Sequence, residues 1–142
     1  MSDSADLPED PTTVVREFLY ALEMGEIDEA LELVDPDVVW RNTGLPTVRG
    51  RERVRWLLIR QFAARIALSA RITHIAEDAG SVLVERIDDL RFGRIDASFD
   101  VWARFDIVDG RITLWHDRYS PGGVIGRVLL GAARAGLPRR SR

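Results

Sequence analysis

Apolar positions recur every three to four residues in the first half of the chain and mostly every second residue in the latter half. Val14, Val15, Phe18, Leu19 and Leu22 share one side of a helix. Asp10-Pro11 offers an N-cap followed by a proline suited to the first helical turn, and Gly25 marks the end. A shorter helix is expected over about 27–34, with Ile27, Ala30, Leu31 and Val34 on one side, broken by Asp35-Pro36. Val38 to Asn42 reads as a short strand, and Gly44, Pro46 and Gly50 read as a loop beyond it. A third helix is predicted over about 51–66, with Val54, Leu57, Leu58 and Phe62 on its apolar side and arginines opposite.

The period then shortens. Strands are expected over about 67–77, 81–91, 95–108 and 111–120, separated by Asp78-Ala79-Gly80, Gly93 and Asp109-Gly110. Helices followed by hairpin-linked strands predict an α+β fold, with helices closing one side of a curved sheet around an internal pocket. One domain is expected over 11–136, between a disordered N-terminal tail, 1–10, and a basic C-terminal tail, 137–142. The stretch 122–136 could form a last helix with Val124, Ile125, Val128, Leu129 and Ala132 as its apolar stripe. A packed or interface helix is the favoured reading, because the terminal arginines are too few for stable membrane anchoring on their own.

Composition narrows the chemistry. The 142 residues include no cysteine, and all 20 basic residues are arginine. Thiol nucleophiles, disulfides, cysteine-ligated metals and Schiff bases on lysine are therefore excluded. His74 and His116 have no metal-pair spacing, and no phosphate- or dinucleotide-binding glycine loop is present, so neither a metal nor a cofactor is expected. The formal charge of −3 gives no sign of a nucleic-acid surface. No apolar stretch is long enough to cross a bilayer, and the acidic N-terminus is unlike a targeting peptide, so a cytoplasmic location is expected. The remaining working groups suit acid–base chemistry on a small neutral molecule.

Alternation places Val82, Val84, Arg86, Asp88 and Leu90 on one strand face and Leu83, Glu85, Ile87 and Asp89 on the other. Both faces mix apolar and charged residues, so periodicity leaves the inward face open. Thr113, Trp115, Asp117 and Tyr119 share a face of the last strand, as do Val38, Trp40 and Asn42 of the first. Convergence of three such faces would gather Arg86, Asp88, Asp117, Asn42, Trp40, Trp115 and Tyr119 in one cavity. A structural ion pair between Arg86 and Asp88 is the bland alternative.

Val84-Glu85-Arg86-Ile87-Asp88 resembles the E-R-x-D strand of the limonene-1,2-epoxide hydrolase family. Gly110-Arg111-Ile112-Thr113-Leu114-Trp115-His116-Asp117 resembles its G-[KR]-I-T-x-W-x-D strand. Trp40-Arg41-Asn42, with Leu45-Pro46 and Arg49-Gly50, is similar to its Y-x-N segment and following loop. The resemblance spans roughly residues 12–120 and implies an NTF2-like, SnoaL-like cone, commonly a homodimer.

The resemblance further implies Asp117 as general base, Asp88 as general acid, Arg86 between them and Asn42 as a holder of water, in one step without a covalent intermediate. Trp40 departs from the family's tyrosine, and an indole donates a hydrogen bond but cannot accept one. Leu57, Phe62, Phe92 and Trp102, with Trp40, Trp115 and Tyr119, are candidates to line the cavity around a small lipophilic epoxide. Rival readings are a ketosteroid-isomerase-like or SnoaL-like cyclase, an epoxide-opening cyclase and a non-catalytic binding module. The first needs a carboxylate near the end of the first strand, where Asn42 stands.

Overall fold

The computed structural model describes residues 10–136. The tails expected over 1–10 and 137–142 lie outside that range, apart from Asp10. Asp10 caps α1 (Pro11–Glu23), accepting a 3.2 Å hydrogen bond from the Thr12 amide. Helix α2 (Ile27–Glu32) follows. Strands β1 (Val34–Asn42) and β2 (Val48–Arg49) precede α3 (Arg51–Ala63). Four long strands come next: β3 (Ala67–Asp78), β4 (Ser81–Phe92), β5 (Ile95–Val108) and β6 (Arg111–Arg118). Helix α4 (Pro121–Gly136) closes the described chain. No helix among the described residues is long and apolar enough to cross a membrane.

The strands form a single six-stranded sheet in the order β2-β1-β6-β5-β4-β3. Neighbours are antiparallel except β1 and β6, which run parallel, so the sheet is mixed. Helices α1–α3 lie over one face. Val14, Val15 and Phe18 of α1, Ala30 and Leu31 of α2, and Val54 and Leu58 of α3 are buried there with Val82, Val84, Ala103 and Phe105 of the sheet. This shared core selects the phase of β4. Val82 and Val84 must face the helices, and alternation carries Arg86 and Asp88 inward with them. Leu83, on the opposite face, is exposed.

Several boundaries differ from the sequence expectation. Val34 begins β1 rather than ending α2, because pairing with Ile112 satisfies it in the sheet. The register then shifts between Val34 and Val39. Pro36, which has no N–H to give a ladder, lies in this irregular stretch. The loop expected beyond Asn42 contains β2, whose Val48 and Arg49 pair with Trp40 and Val39. Helix α3 stops at Ala63, not Ile66, where Arg65 turns to a φ of 59°. In β6, a register shift against β5 leaves Thr113 unpaired. Ile112 and Trp115 consequently both enter the core, although strict alternation put them on opposite faces.

Helix α4 lies against β5. Gly131 permits the approach, since a Cβ there would meet the Asp96 carbonyl oxygen at 2.7 Å. Val124, Val128 and Ala132 of the expected stripe are half-buried. Ile125 and Leu129 are 61% and 64% exposed, so the stripe divides between two sides of the helix.

Candidate active site

Three strands deliver the polar centre. Asn42 of β1 and Asp117 of β6 are register partners across the parallel pair, as are Trp40 and Trp115. Arg86 and Asp88 lie two residues apart on β4. These side chains line a cavity of about 350 Å³. Arg86, Asp88 and Asp117 are the buried charged residues among those described, at 5%, 7% and 6% exposure.

The guanidinium of Arg86 is held between the two carboxyl groups. Its Nε donates to Asp88 Oδ1 at 2.7 Å, and Nη2 donates to Asp88 Oδ2 at 3.1 Å. Nη1 donates to Asp117 Oδ1 at 3.1 Å, and Nη2 also donates to Asp117 Oδ2 at 3.0 Å. Both carboxyls therefore touch one nitrogen. Trp115 Nε1 adds a third donor to Asp117, reaching Oδ1 at 2.9 Å.

Burial alone would lower the Arg86 pKa. The charge of Asp117, the hydrogen bond and charge of Asp88, and the hydrogen bond of Asp117 outweigh it, so the guanidinium is held above its ordinary value. Burial pushes the Asp88 carboxyl up, against the lowering influence of Arg86 and with the help of the nearby charges of Asp117 and Asp89. Burial, and then Asp117, also raise the Tyr119 phenol.

The surroundings hold this centre in place. Trp40 stacks on Trp115 with centroids 4.2 Å apart and planes 10° from parallel. Phe18 meets the Trp115 ring edge-on at 5.0 Å, fixing the indole that donates to Asp117. Thr43 ties the end of β1 to β6: its amide donates to the Asp117 carbonyl, and its hydroxyl accepts from the Tyr119 amide. Trp40 Nε1 is buried without a hydrogen-bond partner among the described residues. An indole at this position thus presents a donor that the surrounding protein leaves unused.

The rest of the cavity is mainly apolar, with Glu23, Gln61 and Ser69 as its polar exceptions. Leu19 and Leu22 of α1, Leu58 and Phe62 of α3, and Leu90 and Phe99 of the sheet contribute to its wall. Of the residues expected from sequence, Arg86, Asp88, Asp117, Asn42, Trp40, Trp115, Tyr119 and Phe62 are brought together.

Leu57, Trp102 and Phe92 are not among the lining residues. Leu58 takes the place expected for Leu57, because it follows Val54 by four residues down the inward side of α3. Trp102 pairs with Glu85 on the outer face of the sheet, donates to the Glu85 carboxylate at 3.3 Å and is 50% exposed. Phe92 ends β4 and is 49% exposed.

Phe99 is the aromatic wall that sequence reading missed. Its signal was present: Ala97, Phe99, Val101, Ala103 and Phe105 alternate with Asp96, Ser98, Asp100 and Arg104, leaving Trp102 on the polar face.

Comparison with known proteins identifies the family. Residues 9–124 match the limonene-1,2-epoxide hydrolase catalytic domain. The chain is 33% identical over 124 residues to epoxide hydrolase EphG of Mycobacterium tuberculosis (strain ATCC 25618 / H37Rv), covering 87% of this chain and 83% of that protein. A solved M. tuberculosis LEH-like epoxide hydrolase superposes with a TM-score of 0.81 at 32% identity, covering 87% of this chain and 92% of that one. A Catenulispora acidiphila protein with a ketosteroid-isomerase-like fold superposes with a TM-score of 0.73 at 19% identity, covering 93% and 95%, and so shares the fold. With the domain matched over most of its length, the chain belongs to the limonene-1,2-epoxide hydrolase family.

Proposed function

We propose that this protein adds water to a lipophilic epoxide to give a vicinal diol in one acid–base step. The observation that carries the reading is the shared Arg86 Nη2, which places both carboxyls at one point in a mainly apolar cavity. Two carboxylates and one guanidinium leave a net negative charge; one added proton makes the buried group neutral. That proton belongs on Asp88. Asp88 accepts two N–H donors and burial raises its pKa, whereas Asp117 accepts three donors from groups that can only donate.

The lone pairs give the two Asp117 oxygens different tasks. Arg86 Nη1 and Trp115 Nε1 occupy Oδ1, whereas Oδ2 accepts only from Arg86 Nη2. Oδ2 retains a free lone pair to take a proton from water, which Asn42 positions from the neighbouring strand. As the water oxygen attacks one epoxide carbon, that carbon's bond to the ring oxygen breaks. Asp88 supplies a proton to the departing oxygen. The product is a diol, and one proton must return from Asp117 to Asp88 before the next turnover.

The protein is proposed to act as a cytoplasmic homodimer built from one domain over 11–136. Incubation with apolar epoxides and isotope-labelled water tests the reaction. Label in a diol supports it, whereas a cyclic ether from an epoxide bearing its own hydroxyl would assign the pair to internal ring opening.

Two predictions follow from this geometry. The rate should fall as pH rises through the folded-state pKa of Asp88, which lies above 3.8, because the acid loses its proton there. A pH profile of kcat/KM that instead increased through that ionisation would reject Asp88 as the acid. The same raised pKa means that protonated Asp88 contributes stability fully below 3.8, and this contribution is lost as pH rises through the folded value. The stability difference between wild type and Asp88→Asn, followed by urea melts against pH, reads that loss.

The second prediction separates the two faces of β5. Phe99→Ala is expected to raise KM about tenfold by removing apolar wall. Trp102→Ala should stay within about twofold because its ring lies on the outer face. Steady-state kinetics on one apolar epoxide compares them, and the reverse ranking would misplace the substrate.

A further inference from the structure

We propose that α4 and the cavity mouth form a docking surface for an anionic phospholipid bilayer, on which the protein lies without crossing it. Helix α4 uses one side to pack on β5 and leaves Ile125, Leu129 and Leu130 exposed on others. Leu130 lines a surface groove together with Arg94, Arg127 and Arg134, with Asp96 at its edge, whereas Ile125 and Leu129 lie on the other flank of the helix. None of these three arginines forms a salt bridge within the described residues, although their neighbour Asp96 pairs with Arg91.

Charge selects the occupant. Five of the 20 arginines, and none of the 23 acidic residues, follow Ser120 in the sequence. The remainder of the chain is therefore strongly acidic. Two copies meeting through this helix would oppose like charges. An anionic lipid surface instead meets Ile125, Leu129 and Leu130 on one flank and crest of the helix and guanidinium groups on its other flank, an apolar and cationic combination that holds a helix in the headgroup region.

The position gives the surface a use. Val124 of the same helix lines the cavity, and Leu45 and Leu68 both line it and are exposed, so its rim offers apolar side chains, with the exposed Glu23 as its acidic point. Resting on the proposed reaction, this would let a lipophilic epoxide pass from bilayer to cavity without crossing bulk water. Docking itself does not depend on that reaction.

The test is sedimentation of the full chain with vesicles of phosphatidylcholine alone, and of equal parts phosphatidylcholine and phosphatidylglycerol. Binding is expected to the mixed vesicles only. Arg127→Gln with Arg134→Gln should weaken it roughly 30-fold, from the attraction of two arginines to an anionic surface. Leu129→Glu should weaken it by at least as much.

Because these side chains are exposed, turnover of a water-soluble epoxide should be unchanged in the variants, which also verifies their fold. Absence of sedimentation with mixed vesicles would overturn the proposal, as would equal binding by wild type and variants. A change of oligomeric mass in Leu129→Glu, when wild type binds no vesicle, would assign the face to a second copy and equally overturn it. Failure to hydrolyse any epoxide, with vesicle binding intact, would reject the proposed reaction and leave the docking surface standing.

Discussion

Asp117→Asn is expected to reduce epoxide turnover by roughly 100- to 10,000-fold, the range for losing a positioned base. The substitution nearly preserves shape. One amide oxygen can still accept from Arg86 Nη1 and Trp115 Nε1 at the Oδ1 position. The amide nitrogen then replaces Oδ2 and confronts Arg86 Nη2, setting donor against donor. Water loses its proton acceptor, and the buried mismatch costs about 1–3 kcal/mol. Single-turnover rates and thermal melts on the same preparations separate these effects. A folded Asp117→Asn protein with wild-type rate would place the base elsewhere.

Arg86→Met should produce the largest loss of stability, about 3–5 kcal/mol near neutral pH, because it leaves two buried carboxyls without their counter-charge. Without the guanidinium, the buried Asp88 carboxyl favours its neutral form in the fold. Its contribution to stability is then retained at low pH and lost as pH rises through its folded-state pKa, since the unfolded chain ionises more readily. Urea melts of wild type and variant across pH measure this directly. Equal midpoints for the two proteins at neutral pH would show that the trio is not buried as described. Arg86→Lys gives a sharper comparison. It retains a charge but replaces the planar fork spanning Asp88 and Asp117 with a point charge, so it should recover more stability than activity.

Much of this site was legible before folding. The E-R-x-D pattern around Arg86 and Asp88, the strand ending in Trp115-His116-Asp117, and Trp40-Arg41-Asn42 lie in order at separations that a family resemblance can use. Other residues were not legible to the same degree. Leu57 and Leu58 are neighbours on α3, and sequence made both apolar candidates; only packing against the core shows that Leu58 lines the cavity. Trp102 was expected inside because it is large and apolar, yet its neighbours' alternation places it outside with Glu85.

The sequence by itself determined the order of helices and strands apart from β2, because that order depends on local periodicity, and its family resemblance singled out the candidate site residues. Only the tertiary structure decided which face of β4 turns inward, where the irregularities of β1 and β6 fall, and that one guanidinium nitrogen touches both carboxyls. Those properties arise from pairing and packing between segments distant in the chain. A one-residue change of register reverses a strand's faces, and the shared core, rather than any local propensity, fixes which register is kept.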